Sequence, residues 1–90
     1  NIYDIGMKYF SKCYFFNNLT HLYLDYNNIS KLEFFSKCVF LKNLKFLDLS
    51  NNNISDKEME YLCKCTFLKN LTELHLADNS ISDLGMEYFS

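Results

Sequence analysis

A chain of 90 residues makes one small domain and buries only about 60–65% of its unfolded surface. It is 49% hydrophobic and 22% charged, with a net charge of −2 and no Arg among its nine cations. That excludes the clustered basic stripe of a nucleic-acid binder and the bidentate clamps that Arg supplies. No apolar run approaches the ~18 residues of a membrane helix, so no membrane role is expected. Phe, Tyr, Met, Ile, Asn and Lys fill about half the chain, a bias that reads as the product of an AT-rich genome.

In chain order, residues 4–19, "DIGMKYFSKCYFFNNL", predict a helix with Met7, Phe10 and Cys13 or Tyr14 on one arc. "LTHLYLDYNNIS" follows from Leu19 and predicts a strand, because Leu22 and Leu24 at spacing two point the same way, inward. Residues 31–44, "KLEFFSKCVFLKNL", fit the register of the first helical stretch after a two-residue deletion. Their helix is expected to lose about half a turn. "LKFLDLSNNNIS" from Leu44 is a second strand with Leu47 and Leu49 inward. Residues 56–71, "DKEMEYLCKCTFLKNL", restore the full helical stretch, with Met59, Leu62 and Cys65 in the inward slots. "LTELHLADNSIS" from Leu71 places Leu74 and Leu76 inward, and "DLGMEYFS" begins the helical stretch again.

The helix starts carry local signals. Ser30 with Glu33 and Ser55 with Glu58 have capping-box spacing, and Asp4 and Asp83 are expected to accept hydrogen bonds at their own helix starts. Asn18, Asn43 and Asn70 recur before each strand, where a left-handed residue is expected as the chain leaves the helix.

The strands share the form LxxLxLxxNxIS, and Ile2, Ile29, Ile54 and Ile81 recur in step with them. The period is about 25–27 residues, within the range of short solenoid repeats. This pattern resembles the leucine-rich repeat, and "ISDxGMxYF" resembles its ribonuclease-inhibitor-like class. The resemblance covers the whole chain. It implies an α/β solenoid, curved, with a parallel β-sheet on the concave face and α-helices on the convex face. Residues 1–90 then form a single segment of about three repeats, expected to belong to a longer array. The same class includes the ribonuclease inhibitor, Ran GTPase-activating proteins and sensor portions of innate-immune receptors.

Asn27, Asn52 and Asn79 occupy the family's asparagine slot. An amide there supplies donor and acceptor to buried turn backbone, so a structural asparagine ladder is expected. Cys13, Cys38 and Cys65 share one core-facing slot, where free thiols act as small apolar groups. Cys63 and Cys65 on one helix diverge by about 200 degrees and cannot jointly hold a metal. No metal and no cofactor are expected. Core filling is also the reading for the columns Phe15, Phe40, Phe67 and Tyr9, Phe34, Tyr61, Tyr88, whereas the variable Tyr14, Val39 and Thr66 slot is expected to be exposed. Four NxS/T sequons, at Asn18, Asn28, Asn53 and Asn70, fall in repeat slots and are read as register, not as glycan sites.

The strand residues between the leucines face outward: His21, Phe46 and Glu73 in one column, then Tyr23, Asp48 and His75, then Asp25, Ser50 and Ala77, then Tyr26, Asn51 and Asp78. Varied chemistry on a fixed scaffold reads as a partner-binding concave face. Aromatics beside acids point to a protein partner, and the acidic surplus to one with a basic patch. Ser50, Asp48 and His75 offer triad residue types, but Ser50 sits diagonally from His75 at roughly 7–8 Å, and no Gly-rich turn supplies an oxyanion hole. The expected function is therefore a non-enzymatic, cytoplasmic protein–protein interaction module or scaffold. Two alternatives stay open: a regulatory module of a GTPase-activating or enzyme-inhibitor protein, and a secreted recognition ectodomain. Neither end carries a polar cap, so end-to-end self-association is a further expectation.

Overall fold

The computed structural model describes residues 1–87. Three short strands, β1 (His21–Tyr23), β2 (Phe46–Asp48) and β3 (Glu73–His75), form one parallel sheet in the order β1-β2-β3. Leu22, Leu47 and Leu74 pair in register, so each step of the sequence repeat becomes one rung of the sheet. Parallel neighbours need a long crossover, and the helical stretches supply it. Of the α-helices, α1 (Tyr3–Phe10) precedes β1, α2 (Met59–Cys63) lies in the crossover from β2 to β3, and α3 (Asp83–Met86) follows β3, with 3₁₀ turns between. One core joins both layers: Leu24, Leu47 and Leu49 from the strand side, Met7, Phe35 and Leu62 from the helical side.

The middle helical stretch departs from expectation. Two residues short, it forms no α-helix at all, only 3₁₀ turns at Phe35–Lys37 and Val39–Leu41. A 3₁₀ turn advances further per residue than an α-helix, so fewer residues cross the same distance. Phe35 fills the interior there and is fully buried.

The predicted caps are also wrong, and the correction is informative. Ser55 makes no side-chain cap hydrogen bond, and no helix starts at Ser30. The Asp4 carboxylate instead reaches into the next repeat, accepting from Ser30 N at 3.0 Å, Ser30 Oγ at 2.5 Å and Lys31 N at 3.1 Å. Asp56 does the same one repeat later, accepting from Ser82 N at 2.6 Å and Ser82 Oγ at 2.5 Å. Glu58 reaches the opposite way and accepts from Leu32 N at 2.9 Å. At α3 the cap is Ser82, whose Oγ accepts from Leu84 N at 3.3 Å. Gly85 permits the close approach of this helix, since a Cβ there would collide with Asp56 Oδ1.

Asn18, Asn43 and Asn70 are not left-handed. The amides of Asn43 and Asn70 donate to Asn17 O and Lys42 O at 3.1 Å, stitching each loop to the one before. The left-handed position that recurs in every repeat lies on the other side of the strands: Tyr26, Asn51 and Asp78, at φ 58, 55 and 56. Asn and Asp tolerate that region readily, whereas a bulky Tyr there is uncommon.

Burial falls from the centre outward. Leu47 and Leu49 are fully enclosed, while Leu22, Leu74 and Leu76 are only half-buried. The same gradient corrects the aromatic columns. Phe40 is buried, but Phe15 and Tyr9 are exposed, because a terminal repeat has a neighbour on one side only, and Tyr61 on the outer side of α2 is exposed as well. Tyr14, Val39 and Thr66 are exposed as expected, and Tyr88 lies outside the described residues.

Candidate functional site

The asparagine slot organises the turn behind the sheet. Asn52 Oδ1 accepts from Asn27 N at 3.0 Å and Ile29 N at 2.9 Å. Its Nδ2 donates to Leu24 O, Leu49 O and Ser50 O at 3.0, 2.9 and 3.1 Å. Asn79 repeats the geometry, accepting from Ile54 N at 3.0 Å and donating to Leu49 O, Leu76 O and Ala77 O. Asn27 accepts from Ile2 N at 3.1 Å and donates to Asp25 O at 2.9 Å. One amide thus satisfies backbone groups of two successive repeats.

On that exposed face, a ring cluster is centred on Phe46. His21 stacks on it at 5.7 Å between centroids, Tyr23 lies at 4.9 Å and His75 at 5.0 Å. The register explains the meeting: His21, Phe46 and Glu73 form one row, and Tyr23, Asp48 and His75 the next. Tyr23 is 61% exposed, so the cluster is a surface feature and not core. Acids border it. His75 Nε2 lies 2.8 Å from Glu73 Oε2, two residues along the same strand. That pairing was legible as "ELH", whose alternation puts both side chains on one face. His21 Nδ1 sits 2.9 Å from Thr20 Oγ1.

The remaining outward columns divide. Ser50, expected to be exposed, is only 8% exposed, and its N–H and hydroxyl both donate to Asp48 Oδ1. It is a turn element that fixes the Asp48 carboxylate, and it offers little surface to a partner. Asp25 is half-buried. Tyr26, Asn51 and Asp78 lie beyond the strands, at the left-handed turn positions. Tyr26 and Asp78 are exposed there and Asn51 is half-buried. The pairing of His75 with Glu73, and of Ser50 with Asp48, separates the residues of the apparent triad into two local hydrogen bonds.

Cys13, Cys38 and Cys65 occupy one column, each thiol lying within reach of the carbonyl four residues earlier. Burial, helped by the neighbouring thiols, pushes Cys38 up to about 12, and burial beside Cys63 does the same for Cys65. Cys63 itself is exposed. Among the described residues no group of three metal-ligating side chains comes together.

An amide ladder behind a parallel sheet, renewed once in every strand-and-crossover unit, defines a stacked α/β repeat protein. Two family models match the sequence: Leucine Rich repeats (2 copies) over residues 17–59, and Leucine Rich repeat over residues 67–90. The chain belongs to the leucine-rich repeat family, whose repeats are generally protein–protein interaction modules. No curated protein and no solved structure matches it.

Proposed function

We propose that the chain is a non-enzymatic, cytoplasmic binding module of the ribonuclease-inhibitor-like class, a curved solenoid that grips a protein partner on the concave sheet face. The observation that carries this reading is the exposed ring cluster of His21, Tyr23, Phe46 and His75, bordered by Glu73 and Asp48. Rigid aromatic side chains on a fixed sheet bury large areas at low entropic cost, which is how interface anchors work. Carboxylates beside ring faces favour Lys or Arg, which interact with both at once. The partner is therefore a protein segment bearing basic side chains. Helices α1 and α2, and the long spacing between successive strands, support the class.

Panning a random peptide display library on the immobilised chain tests the reading. Sequences rich in Lys and Arg should be enriched, and a folded Tyr23→Ala, Phe46→Ala double variant should lose them. Enrichment of acidic or neutral peptides, or equal capture by the double variant, would remove the proposal.

A further inference from the structure

The charge of the chain is divided between two margins of the sheet. Residues 11–22, 36–47 and 63–72 carry Lys12, Lys37, Lys42, Lys45, Lys64 and Lys69, and no Asp or Glu. The rest of the chain holds three Lys against all eleven acids, so +6 on these segments and −8 elsewhere make the net −2. In sequence the lysines are scattered, which hides the grouping. The parallel sheet gathers them, because every strand enters from the same side. The turns that lead into the strands also touch one another. Asn43 Nδ2 donates to Asn17 O and Asn70 Nδ2 to Lys42 O at 3.1 Å, and the Tyr14 and Phe40 rings meet at 5.6 Å.

Each turn presents the same profile. A 3₁₀ turn, Tyr14–Phe16, Val39–Leu41 or Thr66–Leu68, puts its first residue into solvent. Lys12, Lys37 and Lys64 stand two residues before that tip, and Lys42 and Lys69 three residues after it. Val39 is 56% exposed although it has a repeat on either side, so this slot is open within the array and not only at its ends. All six lysines are exposed. Lys64 pairs with Glu60 at 2.8 Å, and Lys37 lies over the Phe34 ring at 5.8 Å, each within its own repeat. Among the described residues, Lys12, Lys42, Lys45 and Lys69 have no carboxylate partner. Like charges stacked one repeat apart, at about 5 Å, repel unless an anion lies across them.

We propose that this margin docks on an anionic lipid surface, with Tyr14 and Val39 entering the headgroup layer and the lysines resting on its negative charges. Apolar side chains at turn tips, with cations beside them, match the layering of a bilayer interface. An acidic peptide would instead call for a groove or a strand edge to lie in. Lysine alone, as a compact point charge, suits a dispersed field of charge better than the paired contacts that Arg makes. The contact is peripheral and needs no membrane-crossing helix, and the described residues hold none. The acidic margin then points away from the lipid, and the sheet face stays open to its protein partner.

Co-sedimentation with vesicles is the test. The chain should pellet with phosphatidylcholine vesicles that contain phosphatidylserine and stay in solution with phosphatidylcholine alone. Raising the salt should release it. Lys42→Gln combined with Lys69→Gln should weaken the partition about twenty- to thirtyfold, with unchanged circular dichroism. The sequence has no Trp, so Val39→Trp sets a single fluorophore at the exposed tip. Its emission should shift to the blue on phosphatidylserine vesicles. The Tyr23→Ala, Phe46→Ala variant should pellet like the parent, which keeps this margin distinct from the concave face. No pelleting with phosphatidylserine at low salt, equal pelleting on both vesicles, or indifference to the lysine variant would each overturn the proposal. So would an unshifted Trp, vesicle binding lost with Tyr23 and Phe46, or tighter binding to polyglutamate or DNA than to the vesicles.

Discussion

The first and second repeats solve the same crossover with different materials. The second spans it with an α-helix, Met59–Cys63, and sends Asp56 forward to hold Ser82. The first has no α-helix and carries Lys31 where Asp4 and Asp56 stand in their own repeats. It offers no forward carboxylate, and it is held from both sides instead: Asp4 from behind on Ser30 and Lys31, Glu58 from ahead on Leu32. A short repeat can thus be stable when its neighbours supply the backbone partners that its own helix does not.

Removing the aromatic filler breaks this arrangement most severely. Phe35→Ala should cost about 3–5 kcal/mol by chemical denaturation, whereas Leu62→Ala in the same slot should cost closer to about 2 kcal/mol, because Leu62 lines an open groove that can collapse. Next comes the amide that joins the two repeats. Asn52→Ala strands several buried backbone groups and should cost about 3 kcal/mol, against about 1 kcal/mol for Asn27→Ala, whose site is partly open to water. A smaller loss, about 1–2 kcal/mol, is expected for Glu58→Ala, which deprives the Leu32 N–H of its acceptor; Asp56→Asn in the same experiment should leave the first repeat unaffected.

The subtlest test is pH. Burial pushes the Asp4 carboxyl up, but the Ser30 hydroxyl, the Ser30 and Lys31 N–H groups and the Lys31 charge outweigh it and hold it below the ordinary 3.8. A carboxyl lowered on folding stabilises the protein above its unfolded value. That contribution is lost as pH falls from 3.8 through the lower folded value. Asp4→Asn should flatten the acid limb of the stability profile between those values and lower stability at neutral pH. An unchanged acid limb would mean that Asp4 does not anchor the first repeat.

Much of this is readable in the sequence. Leucines at spacing two and a fixed period announce the sheet and its register, because alternation and stacking are properties of the backbone. The asparagine slot is equally plain, since few side chains carry both donor and acceptor. The carboxylates escape such a reading because capping rules are local, and Asp4 and Glu58 serve residues 26 positions away. Ser50 escapes it for a related reason: the strand ends at Asp48, and the alternation that would have exposed it no longer applies. The ring cluster falls between these cases. Its members can be named by column, but their convergence on Phe46 depends on side-chain angles that a sequence does not state.

The thiol column also gives the protein an internal gauge of its own opening. Alkylation requires the thiolate, and thiols pushed up to about 12 are almost never ionised at neutral pH. Cys63, on the surface, reports the reagent's arrival, while Cys38 reacts only when the repeat around it parts from its neighbours. The lag between the two, read by mass, measures how often the array breathes at that joint.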